Sequence, residues 1–382
     1  MSIREFKAIS AIDGFAYQIL VEDFSIQSIT RIPSEPDMPF FAPGLLDTQV
    51  NGYFGYDYSD PELTTNACNV ICQKLMHTGT LQHFATIVTS PKDVICHSIS
   101  TIVSAFEQNE IARAGIAGIH IEGPFISPEE GFRGAHNITA VREADLDEFD
   151  HWLEIGQGLI KVITVAPEVR NVVDLIRHAT SRKVVCAIGH TNANAEQIDA
   201  AVEAGASIST HLGNGSKSVI ERLNNHIWVQ LAEERLKASI ISDSFHLPPA
   251  VLKVFARTKG PDNIILVSDV APVAGLGSGY MKWGDISVEV CDDGSVRLPG
   301  TPYLAGASSS LLLNIANFCR HTKITLAQAI AMATLHPAKL YSLDVHRFDI
   351  HSGSLGQFIL FDFDKDTYKI TLRQVVSPYI QS

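Results

Sequence analysis

Residues 184–215 read VVCAIGHTNANAEQIDAAVEAGASISTHLGNG. Residues 184–188 and 208–212 form two compact apolar runs, and between them residues 193–204 carry apolar side chains at helical spacing, with Gly205 as the stop. Two strands joined by a helix of that length make a parallel βαβ unit. His190 stands at the C-terminal end of the first strand and His211 near the end of the second. In a parallel α/β barrel that end is the mouth, where active sites are built. Taken singly, each histidine reads as a strand-end residue bonded to a neighbouring loop. On consecutive strands, the two imidazoles converge on one point and read as ligands of a divalent metal.

The same texture extends outward on both sides. Strand-like runs fall at residues 44–49, 84–89, 118–122, 160–166, 184–190, 208–212, 238–243 and 264–269. Helical patterns fall between most of them, at 64–77, 92–108, 143–155, 172–179, 193–204, 227–234 and 249–258. Eight β/α repeats specify an α/β fold of the closed (β/α)8 TIM barrel type, expected over residues 44–335. A Gly-rich insertion at 275–300 contains strand-like pieces and is expected as a hairpin beside the mouth. Helices are expected at 308–321 and 326–335, the second ended by Pro337. Residues 1–43 and 336–382 are β-type, with alternating runs at 16–20, 25–30, 357–363 and 367–372. Isolated strands this short are not stable, so the two ends are expected to build one small β-sandwich together.

Composition narrows the class of partner. The chain has 382 residues, 46% of them hydrophobic, and a formal net charge of −13, which argues against a nucleic acid or an anionic membrane surface. The first residues, MSIREFKAIS, lack the basic and apolar regions of a signal peptide, and no apolar run is long enough to span a bilayer. The six cysteines are scattered without zinc-finger spacing, which reads as reduced thiols in a cytoplasmic protein.

Polar residues gather where the strands end. Strand one ends in Asp47, Gln49 and Asn51, strand three in Glu122, strand five in His190, strand six in His211, strand seven in His246 and strand eight in Asp269. One Glu and two His can hold a divalent ion and leave positions open for water and substrate. Asp269 is suited to act as a general base, although alone it would read equally well as a loop-capping carboxylate. Glu122 follows Ile119 and Ile121 on a buried strand, where a carboxylate needs a cation or strong hydrogen bonds, from a metal or from an Arg or Lys.

Seven segments in order, PGLLDTQVNG, HIEGPFISPEEGFRGAHN, IGHTNANAEQIDAAVEAGASISTHLGN, ISDSFH, LVSDVAPVAG, LAGASSSLLLNI and MATLHPAKL, resemble the N-acetylglucosamine-6-phosphate deacetylases of the amidohydrolase superfamily. The resemblance covers nearly the whole chain and implies a role for each matching residue. Glu122, His190 and His211 would hold the metal, Asp269 would activate water and protonate the leaving amine, and His136 would polarise the acetamide carbonyl. His246 would contact the sugar, and Asn214 with the Gly215 backbone would approach the phosphate. Arg222 would bind phosphate across the interface of a homodimer.

The departures from the family pattern carry their own expectations. In place of the His-x-His of two-metal amidohydrolases the chain has Gln49-Val50-Asn51, so one divalent metal is expected, zinc by preference, with iron, cobalt or manganese compatible with the same ligands. Where the family has His-Leu-Tyr-Asn-Ala-Met-Pro, this chain has HLGNGS at residues 211–216, and VIERLNNH around Arg222 lacks the usual Arg-Glu-Pro-Gly context. Lys217 and Arg222 therefore read either as phosphate partners or as solvated charges. The expected activity is metal-dependent deacetylation of an N-acetyl-hexosamine-6-phosphate. The alternatives are hydrolysis of another N-acyl or cyclic amide, and a non-catalytic sugar-phosphate-binding homologue.

Overall fold

The computed structural model of the chain describes residues 3–284, 286–301 and 303–380. Eight parallel strands form one sheet: Leu45–Val50 (β1), Thr80–Val88 (β2), Ile116–Glu122 (β3), Ile160–Val165 (β4), Val185–Ile188 (β5), Ala206–Ser209 (β6), Lys237–Ile241 (β7) and Ile264–Val267 (β8). Each strand pairs with its neighbour in sequence, as consecutive βαβ units require. The barrel closes between β8 and β1 just beyond the ends of the strands. There the Asp269 N–H donates to the Gln49 carbonyl (3.1 Å) and the Asn51 N–H to the Val270 carbonyl (3.0 Å).

Strand alternation divides the side chains between two cores. Ile121, Ile163, Val165 and Ile188 face outward, where they pack with Ile71, Ile99, Trp152, Ile176 and Ile198 of the surrounding helices. The alternate residues Val162, Ala187, Ile208, Ile241, Ile265 and Val267 pack with one another and with Phe84, Ala338, Tyr341 and Phe348. The helix Ala195–Ala204 begins at a capping box formed by Asn194 and Gln197 and ends at Gly205, whose φ of 116° ends it in the left-handed region.

Both termini contribute to a second, six-stranded sheet. Its order is Ile370–Val376, Phe358–Phe363, Phe40–Pro43, Ile3–Ser10, Ala16–Glu22, Ser25–Arg31. Phe358 and Leu360 point into the core of this sheet, while Ile359 and Phe361 point the other way and pack with Leu45, Phe318 and Ile330. The period of two thus fastens the terminal strands to the barrel.

The Gly-rich insertion forms a three-stranded sheet from Gly279–Trp283, Ile286–Val290 and Val296–Arg297. It packs on Ala271, Val273 and Ala305, and Ala135 and Trp283 join the same cluster, so it lies beside the mouth as expected. Pro337 does not end the preceding helix. That helix stops at Met332, and Pro337 sits in the first turn of a new one, Leu335–Leu340, where its missing N–H removes no helical bond. The short helix Glu110–Gly115, capped by Asn109, has too few residues to show a period in the sequence.

Candidate metal centre and substrate pocket

Glu122 is the last residue of β3. His190, His211 and Asp269 each stand two residues past the ends of β5, β6 and β8. All three of the latter adopt positive φ, at 51°, 29° and 54°. A non-glycine residue there is strained, and such strain persists only where the surroundings hold it. The holding bonds are specific. The His211 N–H donates to Ser239 Oγ (2.7 Å), the His190 carbonyl accepts from the Ser127 N–H (2.9 Å), and the Asp269 carbonyl accepts from the Ala307 N–H (2.9 Å). This left-handed step turns each side chain out of the sheet and over the mouth.

Two of the turned side chains, His190 and His211, converge on Glu122. Glu122 Oε1 lies 3.3 Å from His190 Nε2 and 3.0 Å from His211 Nε2, and the two imidazole nitrogens are 3.0 Å apart. All three residues are buried. Tetrahedral zinc with oxygen and nitrogen ligands separates its ligand atoms by about 3.3 Å, so a triangle of this size and donor type fits such an ion. Burial pushes the Glu122 carboxyl up, but the hydrogen bonds of His190 and His211 outweigh it and hold the group well below its usual range.

A fourth group, His136, comes from the loop after β3. Its Nε2 lies 3.1 Å from His190 Nε2, so Glu122 and His190 form a compact triplet with His136 as well as with His211. Hydrogen bonding separates the two histidines. His190 Nδ1 donates to the Phe132 carbonyl at 3.0 Å, so Nε2 is the atom it turns toward Glu122 and would offer to an ion. His136 Nδ1 instead receives the Thr89 N–H (3.4 Å) and has Thr89 Oγ1 at 2.8 Å, so its proton belongs on Nε2. Burial lowers the His136 pKa to about 3, which keeps the ring neutral. A bare nitrogen suits a ligand, and a neutral N–H suits a hydrogen-bond donor.

Two amides from β1 and the residue beyond it support the carboxylates. Gln49 Nε2 donates to Glu122 Oε1 (3.0 Å), and Asn51 Nδ2 donates to Asp269 Oδ1 (2.9 Å). Burial, followed by the nearby negative charge of Glu122, raises the Asp269 pKa to about 6. His246 is fixed by Asp243, whose Oδ2 lies 2.7 Å from Nδ1 and whose Oδ1 accepts the N–H groups of Phe245 and His246. That leaves His246 Nε2 for a ligand.

Asn51, Glu122, His136, His190, His211, Asn214, Gly215, His246 and Asp269 line one cavity of about 240 Å³. Gln49 stands behind Glu122, buried at 1% exposure. Arg222 and Lys217, like Gln49, do not line this cavity. Arg222 lies exposed before the helix His226–Ala232. Lys217 pairs with Glu129 Oε2 at 2.9 Å and lies over the Phe132 ring. The sequence reading missed the wall built by Trp283, Tyr303, Leu304, Ala305 and Gly306. A lone tryptophan in a Gly-rich insertion was the available signal. The indole Nε1–H donates to Asp57 Oδ2 (2.8 Å), which ties the insertion to the segment after β1.

A carboxylate and two imidazoles at the C-terminal mouth of a (β/α)8 barrel, with a separate aspartate after β8, define a hydrolase of the amidohydrolase class. The Amidohydrolase family matches residues 40–378. The chain is 31% identical over 330 residues to N-acetylglucosamine-6-phosphate deacetylase of Bos taurus, covering 84% of this chain and 79% of that protein. It is 29% identical over 353 residues to N-acetylgalactosamine-6-phosphate deacetylase of Escherichia coli O157:H7, covering 91% and 90%. In fold it is similar to a mutant N-acetyl-D-glucosamine-6-phosphate deacetylase from Mycobacterium smegmatis, solved in complex with N-acetyl-D-glucosamine-6-phosphate, at TM-score 0.86, 22% identity and full coverage of both chains. The chain belongs to the amidohydrolase family and, within it, to the N-acetylglucosamine-6-phosphate deacetylases.

The glycines of the altered loop allow close packing on the cluster. Gly215 has φ of 60°, and a Cβ there would stand 2.8 Å from His190 Nδ1. Gly215→Ala is therefore expected to displace the His190 ring and weaken the affinity for a divalent ion by about ten- to a hundredfold. Competition against a chelating dye measures this, with the circular dichroism spectrum unchanged.

Proposed function

We propose that this chain hydrolyses the acetamide of an N-acetylhexosamine 6-phosphate, N-acetylglucosamine-6-phosphate by first choice, to the amino sugar phosphate and acetate. The observation that carries the reading is the triangle of Glu122, His190 and His211 beside Asp269, in a chain of this family. Glu122, His190 and His211 are the residues assigned to hold one divalent ion, zinc by preference. Gln49 supports a single ion, because its neutral amide spends its N–H on Glu122 where a second-metal ligand would stand. Such an ion supplies Lewis-acid polarisation of the acyl oxygen and acidifies water.

The chain's own residues handle orientation and protons. Asp269, with Asn51 on one oxygen, takes the proton from the attacking water and returns it to the departing amine. A carboxyl group with a pKa raised toward neutrality performs both transfers. His136 donates its Nε2 proton to the acyl oxygen as negative charge develops there. His246, aimed by Asp243, contacts the sugar, and Asn214 with the Gly215 backbone meets the phosphate end.

Arg222 is assigned to the phosphate of the neighbouring subunit in a homodimer. Val219 is 82% exposed, Leu223 72% and Trp228 48%. These exposed apolar side chains flank Arg222 in the chain, which supports a protein partner there. All six cysteines are free, which supports a reducing compartment such as the cytoplasm, and no described helix is long and apolar enough to cross a membrane. The wide coverage of the galactosamine-specific relative favours a second reading in which the substrate is the 4-epimer.

Acetate release is the direct test, with N-acetylglucosamine-6-phosphate, its galacto epimer and unphosphorylated N-acetylglucosamine compared with and without chelator. Turnover of a phosphorylated sugar, lost on chelation and restored by zinc, is expected. No release from any of the three by metal-loaded protein would sink the proposal. Asp269→Asn is expected to retain zinc and lower kcat by about a thousandfold or more, and kcat near wild type would remove Asp269 from the proton path. Arg222→Ala is expected to raise KM for the phosphorylated substrate alone, and an equal effect on both sugars would take Arg222 away from the phosphate.

A further inference from the structure

The altered loop contains a pair of side chains to which the catalytic reading assigns no role. Ser216 lines the same cavity as Glu122, His190 and Asp269, and its Oγ lies 2.7 Å from His226 Nε2. His226 is only 4% exposed. It opens the helix His226–Ala232, where Asn225 accepts the N–H groups of Ile227 and Trp228, and its ring packs edge-on against Phe132 at 5.4 Å. The serine is thus held by an imidazole whose own position is fixed from two sides.

The rest of the cavity explains what such a pair is for. Among the described residues that line it there is no lysine or arginine. Lys217 is engaged by Glu129, and Arg222 lies outside. An anionic group entering the cavity therefore meets no lysine or arginine of this chain among the described lining residues. Of the hydroxyl side chains that line the cavity, Ser216 and Tyr303, Ser216 is the one that follows Asn214 and Gly215 in the chain. Burial holds His226 neutral, at a pKa of about 4. When an acceptor oxygen takes up the Ser216 hydroxyl proton, the neutral imidazole with its proton on Nε2 donates to Ser216 Oγ and holds it in that orientation.

We infer that Ser216, oriented by His226, is a specificity-determining donor to the phosphate-bearing end of the substrate. This rests on the proposed amino sugar phosphate reading. Ser216 meets the ligand directly, and His226 acts through Ser216 as a positioning residue. A hydrogen bond between a neutral donor and a charged acceptor changes affinity by about tenfold or more.

Binding of the reaction product tests this without requiring turnover. Titration calorimetry of zinc-loaded protein with glucosamine 6-phosphate, glucosamine and inorganic phosphate gives the affinities for wild type, Ser216→Ala, Ser216→Thr and His226→Phe. Ser216→Ala and His226→Phe are each expected to weaken glucosamine 6-phosphate about tenfold and to leave the contribution of the sugar unchanged, while Ser216→Thr, which keeps the hydroxyl, retains most of the affinity. Unchanged affinity for the phosphorylated sugar in Ser216→Ala overturns the inference. So does a loss confined to His226→Phe, which would mean that His226 acts only through Phe132. Wild-type protein that binds the product but releases no acetate would fail the deacetylase reading alone. Wild-type protein that binds glucosamine 6-phosphate no better than glucosamine would overturn the phosphate site itself.

Discussion

The site depends on one electrostatic constraint, the burial of the Glu122 carboxylate at the end of a barrel strand. Removing such a charge from water costs several kcal/mol unless partners replace the lost solvation. Three side chains from three different strand ends do so, Gln49, His190 and His211, each within 3.3 Å of Oε1. The barrel brings residues this distant in sequence to one oxygen. The strained backbone at His190 and His211 is the local cost of aiming them there.

Closure of the barrel and assembly of the site are the same event. The backbone bonds that join β8 to β1 belong to Gln49, Asn51, Asp269 and Val270, and the side chains of the first three support or form the pair of buried carboxylates. A loosened seam would therefore disturb Glu122 through Gln49 and Asp269 through Asn51 together. This coupling also accounts for amides at these positions, since each provides an N–H that turns a buried carboxylate toward a defined direction.

The distinction between His136 and His190 shows how second partners set chemistry. The two rings touch, yet their Nδ1 atoms meet opposite partners, since a carbonyl faces Nδ1 of His190 and an N–H faces Nδ1 of His136. Neither Phe132 nor Thr89 has a side chain that marks it as functional. Phe132 contributes through its backbone carbonyl and Thr89 through both its N–H and its hydroxyl, at loop positions that no residue pattern signals.

The alternation of short apolar runs with amphipathic helices was enough to determine the barrel, because each element had to bury one face and consecutive units wind in one sense. It also determined which polar residues stand at strand ends, and so the set Glu122, His190, His211, His246 and Asp269. Pro337 misled because a proline that ends one helix is equally at home in the first turn of the next, and only the packing of Ala338 and Tyr341 on the barrel core selects between them. The wall with Trp283, the brace of His226 on Ser216 and the exposed position of Arg222 were decided by the tertiary structure alone. Each joins residues far apart in the chain, or depends on where a loop folds back, and local periodicity carries no information about either.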